Sequence, residues 1–274
     1  MKGRSMNPCV NYERLLPEQI REVREQSPVA FIPLGTLEWH GPHLPVGLDG
    51  LKIHRLCELC ARSSGGLVFP PLYYGEPREE GLMDSNPTYR DAISKEMGLA
   101  SENFAPGYMR RSPAEAVSAY QNLLIHILNQ CQSLGFRVLV LAAGHYPLID
   151  HARAAAGLFH QQRWSGQRRK IQPIPWVFTG YELVRNIFSD AGDHAGFWET
   201  SLMLALEPEL VAMEKVTGSP APPTAVLSSR PVCEAGREFG LAAVQKIVEQ
   251  VTIRVRDRLD HPERYLGHGL PLEG

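Results

Sequence analysis

Five cysteines in 274 residues, odd in number and scattered at Cys9, Cys57, Cys60, Cys131 and Cys233, cannot make a disulfide framework. Their sparseness points to a reducing compartment, and a cytoplasmic location is expected. Cys57-x-x-Cys60 lacks the second pair that a zinc site of this kind needs. It lies in a stretch with helical apolar spacing, so both thiols are read as buried helix residues. No stretch is long and charge-free enough to span a bilayer, and Met1 to Leu16 has no apolar run suited to a signal peptide. An excess of one charge is missing too: 28 basic residues face 30 acidic ones, a formal charge of -2. That balance recommends neither nucleic acid nor an anionic membrane as a partner. Internal repeats, low-complexity tracts, a P-loop, a Gly-x-Gly-x-x-Gly turn and a Gly-x-Ser-x-Gly elbow are also lacking, which removes the usual nucleotide-binding and serine-hydrolase readings.

What is present is an alternation of short apolar runs and helical patterns over a length suited to one large α/β domain, residues 1–274. Strands are expected at Val29–Leu34, Gly66–Phe69, Arg137–Ala143 and Ile171–Phe178. Helices are expected at Leu51–Arg62, Ala114–Leu134 capped by Ser112, Ile149–Gln162 and Ala235–Leu259. Such alternation predicts a mostly parallel sheet covered on both faces. The polar segment from Glu76 to Pro106 has no clear period and reads as an active-site lid or an interface arm. Arg163 to Lys170 reads as a solvated basic turn.

Two of the expected strands end in side chains that bind metals. After VAFIPL, Glu38 and His40 stand two apart and share a side of an extended segment. The Gly- and Pro-rich loop beyond them returns the chain so that Asp49 comes alongside. His145 follows Gly144, where the missing side chain allows close backbone approach. Carboxylate and imidazole together suit Zn²⁺, Mn²⁺ or Fe²⁺. His43 competes with His40 as a ligand, and His145 alone also fits a core histidine. A third segment, Asp193-His194-Ala195-Gly196-Phe197-Trp198-Glu199, sets two acids and an imidazole at a helix start. There Asp193 is an N-cap by type, and Glu199 has apolar neighbours that turn its carboxylate inward, where it needs a cation.

The run from Pro33 to Asp49, PLGTLEWHGPHLPVGLD, resembles the signature of the creatininase family. Gly144-His145 and the pair His194-Ala195-Gly196 and Glu199-Thr200-Ser201 resemble its later motifs, in the same order. The resemblance implies a three-layer α/β/α fold with a mostly parallel sheet, assembly as a homo-oligomer (a hexamer) and two divalent metal ions per chain, zinc foremost. Glu38 and His145 would bind one ion and His40 the other, with Asp49 between them and Glu199 completing the set. His194 would move the proton, with Glu199 also at the catalytic centre. Tyr146, Trp198 and His43 are candidates for the substrate pocket.

Departures from the family pattern are equally specific. Pro147 stands where creatininase itself offers a metal-binding Glu, so either Glu199 supplies that ligand or the second metal site is weak. Ala105-Pro106-Gly107-Tyr108 replaces a Pro-Gly-Thr element, and Pro87 to Phe104 reads as an insertion that reshapes the substrate entrance. The function expected is hydrolysis of a C–N amide bond, cyclic amide or formamide in type, by a metal-activated water. The alternative is a non-catalytic creatininase-like subunit with a binding or assembly role.

Overall fold

Val29–Leu34 (β1), Leu67–Val68 (β2), Val138–Ala143 (β3) and Ile174–Phe178 (β4) pair in parallel in the order β2-β1-β3-β4. The computed structural model describes residues 9–75, 81–83, 86–104, 112–162, 172–218 and 223–267. β1 and β3 are apolar and buried throughout, as parallel strands covered on both faces must be. Alternate side chains divide between two cores. Val29, Phe31, Val138, Val140 and Ala142 pack with Leu48–Ser64 (α2), Phe197–Leu206 (α6) and Arg237–Asp260 (α7). Ala30, Ile32, Leu34, Leu139 and Leu141 pack with Pro17–Gln26 (α1), Pro113–Ser133 (α4) and Leu148–Gln161 (α5). The result is the expected three-layer α/β/α arrangement.

Most expected elements are found within a few residues of their expected ends. Ser112 caps α4 through a reciprocal pair with Glu115. Cys57 and Cys60 are buried free thiols on α2, and burial pushes both upward in pKa. Three expectations are corrected. α2 begins at Leu48, so Asp49 lies in its first turn rather than at the end of a loop. Gly50, which reads as loop, lies inside α2 against the ring of Tyr73, while Gly47 stays in the turn before it. The segment after Glu76 is not wholly irregular: Arg90–Met97 forms α3, closed by Gly98 in the left-handed region, and Ile93 packs against Trp39 and Met83. α1 has no counterpart in the periodicity reading, because its sequence PEQIREVREQ has only two apolar anchors, Ile20 and Val23. Ala105 to Tyr108 and Arg163 to Lys170 lie outside the described residues.

The chain runs from β1 outward to β2, then back across to β3 on β1's other side. A crevice at the carboxyl ends of β1 and β3 is the position where such sheets bind ligands. Register pairs Leu34 with Ala143, and Gly144 N–H donates to the Leu34 carbonyl at 2.7 Å, so both motif loops leave the sheet side by side.

Candidate metal centre

Close backbone approach makes the centre. A Cβ on Gly144 would stand 2.1 Å from the Asp49 carbonyl oxygen, and one on Gly35 would stand 2.4 Å from Gly50 N. Only glycine lets the ends of β1 and β3 touch the start of α2. Asp49 enters from that first turn, where the helix dipole favours a carboxylate. Glu199 enters from the first turn of α6 in the same way, its Oε2 accepting from Ala195 N–H at 2.8 Å. Ala195 holds φ at 54°, in the left-handed region, to present that N–H.

Glu38, His40, Asp49, His145 and Glu199 come together, all of them buried. His145 Nδ1 lies 3.1 Å from both Glu38 Oε2 and Asp49 Oδ2. Ligands about 2.0–2.2 Å from one ion sit roughly 3.0–3.6 Å apart, so both oxygens stand from Nδ1 as fellow ligands would, and all three residues offer ligand atoms within 4.8 Å of one another. Asp49 turns its other oxygen, Oδ1, toward His40 Nε2 at 3.5 Å, and Glu199 Oε2 lies 3.9 Å from that nitrogen. His40 Nδ1 lies 3.1 Å from the Glu38 carbonyl, an acceptor that fixes the proton there and leaves Nε2 as the ligating atom. Two sets of three potential ligands thus share Asp49, and a third combines Glu38, His40 and His194.

The electrostatics match this crowding. Burial opposes a charge on His40, yet Asp49, Glu199 and Glu38 raise its pKa to about 9. Asp49 is held well below the usual carboxylate range despite burial, chiefly by His40 and His145. Carboxylates packed this closely call for positive charge.

His194 and Asp193 take different roles. His194 Nε2 meets the Trp39 carbonyl at 3.0 Å and Asn86 Nδ2 at 3.1 Å, and its ring lies 4.6 Å from that of His40. Burial, then the neighbouring His40, lowers its pKa. Asp193 accepts from Trp198 N–H at 2.8 Å and Glu199 N–H at 3.1 Å. It therefore caps α6, although Gly196 holds the formal N-cap position.

Of the three pocket candidates, Tyr146 is half-buried, with Lys52 Nζ 5.2 Å from its ring centre. Trp198 is buried against Phe188 and Phe239. His43 is also buried, its Nε2 3.0 Å from Thr200 Oγ1, and it joins none of the potential ligand sets. Pro147 precedes the first residue of α5 and offers no ligand.

Two residues at the centre were not singled out from the sequence. Asn86 is buried and places Nδ2 3.3 Å from Glu38 Oε1 and 3.4 Å from the Trp39 carbonyl, linking the first motif to His194. Lys52 is buried one turn after Asp49, its ammonium bonded to Glu199 Oε1 and 3.6 Å from Asp49 Oδ1. The i, i+3 spacing from Asp49 was the available signal for Lys52. Asn86 gave none, because the segment around it has no period.

The creatininase (creatinine amidohydrolase) family model matches residues 13–92 and 106–251. A creatinine amidohydrolase of Pseudomonas putida is 27% identical over 208 residues, 70% of this chain and 69% of its own. A 3-dehydro-scyllo-inosose hydrolase of Thermotoga maritima is 36% identical over 222 residues, 75% of this chain but only 58% of its own. A crystal structure of creatinine amidohydrolase superposes with a TM-score of 0.64 at 21% identity, covering 93% of this chain and 98% of that one. Related structures of that fold are described as Zn–Zn and Mn forms. The chain belongs to the creatininase family.

Proposed function

We propose that this chain is a metal-dependent hydrolase that cleaves a C–N amide bond in a small non-peptide substrate, cyclic amide or formamide in type. The observation that carries the reading is the triangle of Glu38, Asp49 and His145, buried and spaced as ligands around one cation. Zn²⁺ suits this mixed nitrogen and oxygen set best, and Mn²⁺ and Fe²⁺ also suit it. Such an ion would supply an activated water near neutral pH and would polarise the scissile carbonyl. In the two-ion arrangement that the resemblance implies, His40, Asp49 and Glu199 hold a second ion.

His194 is the proton carrier. Its lowered pKa keeps it neutral near pH 7, so it accepts a proton during attack and returns it to the leaving nitrogen. His194 Nε2–H donates to the Trp39 carbonyl, which fixes the ring and leaves Nδ1 to carry the proton, and Asp193 positions Glu199 by holding the start of α6. Tyr146 forms a wall of the pocket, and α3, seated on Trp39 through Ile93, forms part of its cover.

Replacing His194 with Gln is expected to lower kcat on the best amide found by about 10²- to 10⁴-fold, with metal content unchanged. An unaltered kcat would remove His194 from the mechanism. The 36% identity to an inosose hydrolase supports a second reading, in which the substrate is a polyhydroxylated cyclic ketone. Screening both classes separates the two, and metal binding without turnover on either would favour the non-catalytic subunit. Assembly as a homo-hexamer belongs to the same proposal, and the mass of the native particle tests it.

A further inference from the structure

The two potential ion positions share Asp49, and Lys52 stands on the side of Asp49 that faces Glu199. The second position, between His40, Asp49 and Glu199, has Lys52. Its Nζ bonds Glu199 Oε1 and lies 3.6 Å from Asp49 Oδ1, the oxygen that also faces His40. The other oxygen of Glu199 accepts from Ala195 N–H, so both its oxygens already have donors. An ion at this position would draw on Asp49 and Glu199, the two carboxylates that the ammonium already contacts.

We infer that Lys52 is a built-in cation that replaces the second metal ion, making this a one-metal centre in a fold read as binding two. The inference rests on the metal-dependent reading above and deepens it. Burial adds to this: Asp49 and Glu199 are buried carboxylates that already share a buried ammonium, and a second divalent ion would set its charge directly beside that ammonium, which is costly. Pro147 fits the same picture, because it adds no carboxylate that a second ion would draw on. Lys52 reaches this place because it follows Asp49 by three residues on α2, which sets both on one face of the helix.

The test is the stoichiometry of Zn²⁺ on protein stripped of metal and titrated with Zn²⁺ alone, for wild type and Lys52→Met. One equivalent in wild type and two in Lys52→Met is the expected result. Two in wild type would overturn the inference while leaving the hydrolase reading intact, and one in Lys52→Met would overturn it equally. None in wild type would remove the metal reading itself. Should Lys52→Met not fold, paramagnetic resonance of wild type saturated with Mn²⁺ decides. An isolated-ion spectrum is expected, and a spin-coupled pair would contradict it.

Discussion

At the scale of single residues, the centre is a cluster of buried charges that only makes sense when counted together. His40 is pushed up to about 9 by the carboxylates around it, while His43, three residues on, is pushed down to about 4 by burial and by the charge on His40. The depressed His43 carries a stability consequence. At high pH His43 is neutral whether folded or unfolded. As pH falls below about 6.5 the unfolded chain takes up a proton that the folded chain refuses until about 4, so stability is lost across that window. The loss is about 3 kcal/mol for the whole interval. Urea unfolding of His43→Gln between pH 4 and 7 is therefore expected to show a shallower acid limb, by about one proton, than wild type. Identical limbs would place the acid sensitivity elsewhere. At this scale the first motif was readable because its ligand types are rare neighbours in sequence. Lys52 was not, because a lysine in a helical pattern ordinarily sits in water, and only the tertiary approach of Glu199 makes it a buried partner.

At the scale of elements, the site depends on contacts between strand ends and helix starts. Gly144 is the tightest of these, since any side chain there meets the Asp49 carbonyl. Gly144→Ala must push β3 away from α2, with an overpacking cost of about 1–3 kcal/mol. Zn²⁺ affinity should fall with it, because His145 and Asp49 are carried by the two parts that separate. Calorimetric titration checks this, and wild-type affinity in a folded Gly144→Ala protein would show that the approach is not needed. β1, β3 and α4 were legible in sequence, since a fully apolar run or a capping box leaves few alternatives. The start of α2 differs from the sequence reading because Gly50 carries a turn signal that packing against Tyr73 overrides, whereas Pro45 and Gly47 keep theirs just before the helix. α1 and α3 were missed because each is short and holds few apolar anchors.

At the scale of the molecule, the pairing of β1 with β3 explains why residues as far apart as Glu38 and His145 meet, and α6 brings Glu199 to them. Sequence order gave the layers and the family, but the pairing of specific oxygens with specific nitrogens needed the fold. Residues 93–105 fall between the two matched stretches of the family model, and the described part of that stretch lies against Trp39, beside the centre. No helix among the described residues is long and apolar enough to cross a membrane. Asp49 is the one carboxylate shared by both potential ion positions. The most direct test is the metal content of protein purified without chelator, wild type beside Asp49→Ala. About one equivalent of a divalent ion in wild type, largely lost in the mutant, is the result predicted with Lys52 standing on Asp49 and Glu199. Near zero in both, even after incubation with Zn²⁺ or Mn²⁺, would contradict the metal-dependent mechanism altogether.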